Sequence, residues 1–174
     1  MPRHGIVIID MLNDFVLPGA PLEVPSARRI IDPLKARIAR DRRKGIPVIY
    51  LCDSHRHDDP EFIRMGWPPH AVAASHGAQV VRELTPLPRD PVVKKKSYSG
   101  FFQTSLERHL QRRGIRELMV TGCVTNICVL YTVADAVQRG YGVTVYSTCV
   151  AALNARDQEC ALRQMNEVLG VRVV

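Results

Sequence analysis

The chain has 174 residues, of which 46% are hydrophobic and 24% charged, so it is long enough for one globular domain, residues 1–174, with a sizeable core. Its formal charge of +7 comes with few interleaved aromatic residues and no nucleic-acid-binding motif, and we therefore expect no nucleic-acid partner. The apolar run at residues 6–9 is too short for a signal sequence or a membrane span, so we expect a cytoplasmic protein without a membrane partner.

Short apolar runs rich in β-branched residues alternate with helical periods along the chain. Six of these runs predict buried strands, at residues 5–10, 47–52, 91–94, 117–121, 142–147 and 171–174. Four helices are predicted to start at capping residues, namely Asp32 before Pro33, Thr104 in a capping box with Glu107, Thr125, and Asn154. This alternation predicts an α/β fold of three α/β/α layers around a doubly wound, mostly parallel six-stranded sheet.

Acidic, basic and thiol side chains follow four of the predicted strands. The first strand ends at Asp10, the second at Asp53, the third in three lysines at residues 94–96, and the fourth leads to Cys128. The carboxyl ends of parallel strands meet at one edge of a sheet, where ligands bind. Together these residues predict a site for nucleophilic chemistry, although the pattern alone does not choose among the three lysines.

Cys128 is the candidate nucleophile. It lies about three residues past the predicted cap at Thr125, where a helix dipole stabilises a thiolate and free backbone N–H groups can bind an oxyanion. The alternative is a buried packing cysteine, which is the favoured role for Cys123. Asp10 is a candidate acceptor for the thiol proton, with a structural ion pair as its alternative. The odd count of five cysteines without a secretory signal argues against a disulfide framework, and the absence of a Cys-x-x-Cys pair argues against a thiolate zinc site or a thioredoxin-type site.

The segment at residues 55–79 is long for a plain connection and contains four histidines and the one tryptophan of the chain. Together with Asp53 it forms an oxygen and imidazole set whose members are Asp53, His55, His57, Glu61 and His70. Such a set suits zinc, iron or manganese with water in the open positions. A metal-free polar loop is the alternative interpretation.

Five segments carry a resemblance to a known family: residues 6–16 (IVIIDMLNDFV), 53–55 (DSH), 67–81 (WPPHAVAASHGAQVV), 94–106 (KKKSYSGFFQTSL) and 121–141, which contain GCVTNIC. Over nearly its whole length the chain resembles the isochorismatase-like cysteine hydrolases, which include nicotinamidases and N-carbamoylsarcosine amidases. The resemblance implies an amidase that attacks a small C–N substrate with a thiol and passes through a thioester acyl-enzyme.

The resemblance also assigns the site residues. It implies a catalytic triad of Asp10, Lys95 and Cys128, and so selects one of the three lysines. It further implies a cis peptide bond between Cys123 and Val124, which would direct the N–H groups of Val124 and Cys128 at an oxyanion.

For the metal, the resemblance implies a divalent ion, zinc first and iron or manganese as alternatives, held by Asp53, His55 and His70, with no organic cofactor. Glu61 stands where some members have a third histidine, His57 does not align with that position, and whether either joins the site is open. Phe15 and Trp67 match the aromatic residues that flank the nicotinamide ring, and ordinary packing at the rim is their alternative role.

Two departures from the nicotinamidase pattern limit the substrate assignment, Leu12 in place of glutamine and Ala71 in place of cysteine. We expect a nicotinamidase-like enzyme. The alternatives are other small-amide hydrolases of the carbamoylsarcosine or ureidoacrylate type, an isochorismatase activity, a redox-sensing thiol, and a non-catalytic binding module. By resemblance alone, the partners expected are a small amide substrate and further copies of this chain in a dimer or tetramer.

Overall fold

The computed structural model describes residues 3–174, and its central feature is a six-stranded sheet. The strands, in chain order, are β1 (Arg3–Ile9), β2 (Val48–Asp53), β3 (Val92–Lys95), β4 (Ile115–Cys123), β5 (Gly142–Ala151) and β6 (Arg172–Val173). They lie side by side in the order β3-β2-β1-β4-β5-β6, and every neighbouring pair is parallel. The predicted doubly wound α/β fold is confirmed, and the sheet is parallel throughout.

Helices cover both faces of this sheet. They are α1 (Asn13–Val16), α2 (Ile31–Arg43), α3 (Pro60–Met65), α4 (Leu106–Arg112), α5 (Leu130–Gln138) and α6 (Ala155–Glu167). Alternate residues of β1 point to opposite faces, so Ile6 and Ile8 pack with α2 while Val7 and Ile9 pack with α4, α5 and α6. Each face therefore has its own apolar core. Within residues 3–174, no helix combines the length and apolar character needed to cross a membrane.

Only one of the four predicted helix caps forms as expected. Asn154 precedes α6 and its side chain accepts a hydrogen bond from the backbone N–H of Asp157 at 2.9 Å. The cap predicted at Asp32 is wrong, because a 3-10 helix (Pro25–Ile30) runs directly into α2 at Ile31. The hydroxyl of Thr104 accepts a hydrogen bond from the backbone N–H of Leu106, but Ser105 occupies the cap position and the predicted capping box is not formed.

The cap predicted at Thr125 is also wrong. This side chain is fully buried, and its hydroxyl lies 2.6 Å from Oε1 of Gln158 on α6, so a tertiary partner satisfies it instead of the helix backbone. A single π-helical segment (Thr125–Val129) follows β4, and α5 begins only at Leu130. Cys128 therefore lies in the π-helical segment that precedes α5.

The strand order reverses between β1 and β4, and this point positions the site. β2 and β3 extend the sheet on one side of β1, while β4, β5 and β6 extend it on the other. Such a reversal opens a crevice at the carboxyl ends of the strands. Gly122 allows the two strands to approach closely here, because its φ of +109° favours glycine and a Cβ atom would overlap the carbonyl oxygen of Ile9.

Candidate active site

A cavity of about 180 Å³ opens at the carboxyl ends of β1, β2 and β4. Asp10, Asp53 and Cys128 lie at its base, and all three side chains are buried. The volume is below the roughly 300–1,000 Å³ typical of pockets for drug-sized ligands. The cavity therefore suits a small substrate.

The three residues of the predicted triad meet at the base of this cavity. Nζ of Lys95 lies 2.7 Å from Oδ2 of Asp10 and 3.3 Å from Sγ of Cys128. Cys128 is 6% exposed, and it lines the cavity. The ammonium group also donates to the carbonyl oxygen of Ser97 at 3.2 Å. These contacts place a thiol, a cation and a carboxylate in one cluster.

A second carboxylate, Asp53, joins the cluster, and the sequence had placed it at the same edge of the sheet without indicating its contact with Lys95. Asp53 forms an ion pair with the ammonium of Lys95, and its backbone N–H donates to Oδ1 of Asp10 at 2.8 Å. Asp53 and Lys95 are paired residues at the ends of β2 and β3. The sequence therefore places both residues at strand ends, but their ion pair depends on the register of β2 against β3.

Burial and neighbouring charges set the protonation states of this cluster. Burial and the negative charge of Asp53 raise the pKa of Asp10 to about 6, against the opposing effect of Lys95. Burial alone would lower the pKa of Lys95, but the carboxylates of Asp10 and Asp53 outweigh it and raise that pKa well above the ordinary value. The lysine is thus a permanent cation at neutral pH.

Burial and the nearby charges also act on the pKa of the Cys128 thiol. Burial raises its pKa well above the ordinary value, with Lys95 opposing and the negative charges of Asp10 and Asp53 adding to the rise. A carboxylate oxygen of Asp10 lies within 4.8 Å of the sulfur of Cys128.

The peptide bond between Cys123 and Val124 is cis, and both residues line the cavity. Sγ of Cys123 lies 3.1 Å from the carbonyl oxygen of Asp10. Burial raises the pKa of the Cys123 thiol well above its ordinary value. Cys123 is thus a fully buried residue whose sulfur is hydrogen-bonded to the backbone.

The predicted metal ligands also come together. One ligand atom each from Asp53, His55 and His70 lies within 4.8 Å of the other two, and all three residues are buried. Nε2 of His55 is 3.6 Å from Oδ2 of Asp53. Nδ1 of His70 lies 2.9 Å from the carbonyl oxygen of Pro68, which leaves Nε2 as its ligand atom. This donor set fits a divalent transition metal, because histidine ligands are usually oriented by a bond to the other ring nitrogen.

Asp59 supplies that orienting bond for His55, and it was not among the predicted site residues. One carboxylate oxygen of Asp59 lies 3.1 Å from Nδ1 of His55, and the other accepts the backbone N–H of Glu61 at 3.0 Å as the cap of α3. An aspartate directly before Pro60 is a recognisable helix-start signal that would have located it. Glu61 lines the cavity with Oε2 4.0 Å from Nδ1 of His55, whereas His57 is exposed.

Aromatic and aliphatic side chains form the walls. Phe15 and Trp67 both line the cavity, with ring centroids 5.5 and 5.9 Å from that of His70. The segment of residues 21–24 and Leu153 also line it, and no sequence motif indicated them. The backbone N–H of Val24 donates to the carbonyl oxygen of Phe15 at 2.8 Å, so a loop folds back on α1 to close this side. Only the tertiary fold brings this loop to the site.

Comparison with known proteins identifies the family of this arrangement. Residues 4–173 match the sequence profile of the family described as "Isochorismatase domain". The structure is similar to that of N-carbamoylsarcosine amidase from Thermoplasma acidophilum, with a TM-score of 0.87, 34% identity, and coverage of 98% of this chain and 95% of that one.

Two further solved structures cover 99% of this chain and 99% of their own. Nicotinamidase PncA from Bacillus subtilis has a TM-score of 0.92 and 29% identity. The pyrazinamidase of Pyrococcus horikoshii, solved in complex with zinc, has a TM-score of 0.90 and 29% identity. Proteins described as acting on different amides thus share this fold over their full length.

Proposed function

This chain belongs to the isochorismatase family, and we propose that it is an amidohydrolase that cleaves the C–N bond of a small amide with the thiol of Cys128. One observation carries the proposal: at the base of a cavity, a single lysine contacts both the sulfur of Cys128 and the carboxylate of Asp10. Nicotinamide is the first substrate to test, because structures described as nicotinamidase and pyrazinamidase are similar over nearly the whole chain.

In the first step, the thiol of Cys128 transfers its proton to Asp10, and the sulfur attacks the substrate carbonyl. The ammonium of Lys95, 3.3 Å from the sulfur, stabilises the thiolate during this transfer. The negative charge then moves to the carbonyl oxygen, where the backbone N–H groups of Val124 and Cys128 are the proposed donors. This step forms the tetrahedral intermediate.

In the second step, the C–N bond breaks and Asp10 returns the proton to the leaving nitrogen, so ammonia or an amine departs and a thioester remains. Water then attacks the thioester, with Asp10 as the base. The carboxylic acid leaves and the thiol of Cys128 is regenerated. One carboxylate thus serves as base and acid in turn, which suits its pKa of about 6.

Asp53, His55 and His70 are the residues that would hold a divalent metal, with zinc as the first choice. A bound metal supplies Lewis-acid chemistry and a point to which a substrate atom or water can bind. Asp53 contacts both this set and Lys95, and it would therefore connect the metal site to the triad. Phe15 and Trp67 are the proposed walls for a flat substrate ring.

Release of ammonia from a panel of small amides tests this function. Replacing the nucleophile in Cys128→Ala is expected to abolish hydrolysis of every substrate found, with the fold intact by circular dichroism. Cys160→Ala is the matched control, because this cysteine is exposed on α6 and outside the cavity, and its removal should leave the rate unchanged. An active Cys128→Ala protein would refute the assignment of the nucleophile.

A further inference from the structure

Lys95 and Cys128 reach the site from strands that are not neighbours. Lys95 is the last residue of β3 at the edge of the sheet, and β2 and β1 separate β3 from β4, the strand that leads to Cys128. Neighbouring strands lie about 4.8 Å apart, so β3 and β4 are about 14 Å apart across the sheet. The distance of 3.3 Å between Nζ of Lys95 and Sγ of Cys128 therefore depends on the segments that follow these two strands.

Two side-chain hydrogen bonds attach the segment after β3 directly to α5. The hydroxyl of Ser99 donates to Oδ2 of Asp135, and Oγ1 of Thr132 accepts the backbone N–H of Gly100 at 2.9 Å. Ser99 is 8% exposed and Thr132 is fully buried, so the loss of either bond would leave a polar group with little access to water. These four residues are called the clamp below.

Each side of the clamp continues into a member of the triad. Lys95 directly precedes the segment, and its ammonium donates to the carbonyl oxygen of Ser97 within it at 3.2 Å. Cys128 lies in the π-helical segment that continues into α5 at Leu130, and Thr132 lies in the first turn of that helix. The clamp thus joins the segment that follows the ammonium-bearing lysine to the helix that follows the sulfur.

Apolar packing holds the same segment independently of the clamp. Phe101 is 6% exposed and belongs to the apolar core on the α5 side of the sheet. A Cβ atom at Gly100 would overlap the side chain of Leu51 on β2, so the backbone lies directly on the sheet here. Removal of one hydrogen bond of the clamp should therefore leave the fold intact and move the segment only locally.

We propose that Asp135 and Thr132 are positioning residues, which hold the ammonium of Lys95 against the sulfur of Cys128 through the clamp. Both residues lie outside the cavity, so they act through the triad and not on the substrate. The inference rests on the proposed amidohydrolase function and adds two residues to those on which that function depends.

Two matched pairs of variants test the proposal by steady-state kinetics on an amide that the native protein hydrolyses. Asp135→Ala removes the acceptor of the Ser99 hydroxyl, whereas Asp135→Asn keeps an oxygen acceptor there. Thr132→Val removes the acceptor of the Gly100 N–H at nearly constant shape, whereas Thr132→Ser keeps a hydroxyl. Misplacement of reacting groups by about 1 Å can lower a rate by about 100-fold, so Asp135→Ala and Thr132→Val should each lower kcat by at least about tenfold. The Asn and Ser variants should keep kcat within about threefold of the native value.

The division of the effect between kcat and KM separates positioning from other roles. KM should change by less than about threefold, because Phe15 and Trp67, the proposed walls, lie outside the clamped segment. Tyr50→Phe is the control for a general loss of stability, since it removes another buried hydrogen bond, from the Tyr50 hydroxyl to the carbonyl oxygen of Leu84 at 2.9 Å, and it should keep the native kcat. A native kcat in Asp135→Ala, a raised KM with native kcat, or an equal loss of kcat in Tyr50→Phe would overturn the inference.

Alkylation of Cys128 by iodoacetamide, followed by mass spectrometry, separates this inference from the proposed function. The ammonium of Lys95 stabilises the reactive thiolate, so an increase of about 1 Å in its distance from the sulfur should slow alkylation at a fixed pH roughly fivefold in Asp135→Ala. Cys160, exposed on α6, is the internal reference. Slower alkylation in this variant, with no amide hydrolysis by the native protein, would refute the hydrolase and support the clamp. Amide hydrolysis by the native protein, with kcat and alkylation rate unchanged in Asp135→Ala, would support the hydrolase and refute the clamp.

Discussion

Substitution of Lys95 by methionine probes the electrostatic centre of the site. Methionine keeps much of the length and apolar stem of lysine but removes the ammonium group. That group is fully buried and contacts Asp10 at 2.7 Å as well as Asp53. Without this group, the carboxylates of Asp10 and Asp53 lie close together in the interior with no lysine between them.

The expected cost follows from this arrangement. Removal of one partner from a buried ion pair destabilises a protein by about 3–5 kcal/mol, because an uncompensated charge stays behind. A second substitution, Asp10→Asn, removes one of the two stranded charges, and in the Lys95→Met background it should restore at least about 1 kcal/mol of the free energy of unfolding. Amide hydrolysis should stay absent in both variants, since each lacks a triad member.

Urea unfolding monitored by circular dichroism measures these free energies, and ammonia release measures the activity. Lys94→Met is the control, because this lysine is the exposed neighbour on β3, and its replacement should change the free energy of unfolding by no more than about 0.5 kcal/mol. A loss below about 1 kcal/mol in Lys95→Met would show that the cluster is not held together by this charge. Native-like hydrolysis by Lys95→Met would remove its catalytic role.

Two further substitutions test the metal set and the close approach of the central strands. His70→Ala removes one of the three grouped ligands and should lower the zinc content of the purified protein by at least about tenfold. Plasma emission spectroscopy measures this content, and an unchanged value would place the metal elsewhere. Gly122→Ala places a Cβ atom against the carbonyl oxygen of Ile9 at a φ of +109°, and it should lower the free energy of unfolding in urea by about 3 kcal/mol or more. The control is Gly140→Ala, at a φ of +78° with open space around it, which should lower that free energy by about 1 kcal/mol. Equal losses in the two glycine variants would contradict the role given to the strand contact.

The sequence predicted the sheet well, because short apolar runs rich in β-branched residues and bounded by polar residues are typical of strands in a parallel sheet covered on both faces. Every predicted strand is present within a few residues of its expected bounds. The strand ends also placed Asp10, Asp53 and the three lysines at residues 94–96 at one edge of the sheet. Helix starts were less predictable, since side chains such as Thr125 have several possible hydrogen-bond partners, and here Gln158 on a distant helix competed successfully with the helix backbone.

The residues of the candidate site could be named from the sequence, but only some of the contacts between them could. Motif resemblance selected Lys95, yet the ion pair between Lys95 and Asp53 depends on the register of β2 against β3, which no local pattern encodes. The bond from Asp59 to His55 depends likewise on how α3 folds back after β2. The pKa of Cys128 likewise depends on burial, on Lys95 and on two carboxylates, and no local pattern encodes that combination.

The amino-acid sequence by itself determined which chemical groups stand at the carboxyl ends of the strands, because alternating strands and helices leave little choice of topology. Only the tertiary structure decided the protonation states and the charge of the cavity. Those properties depend on how completely each group is removed from water and on which charges lie within a few ångströms, and residues far apart in the chain, such as Asp10, Asp53 and Lys95, act on one another.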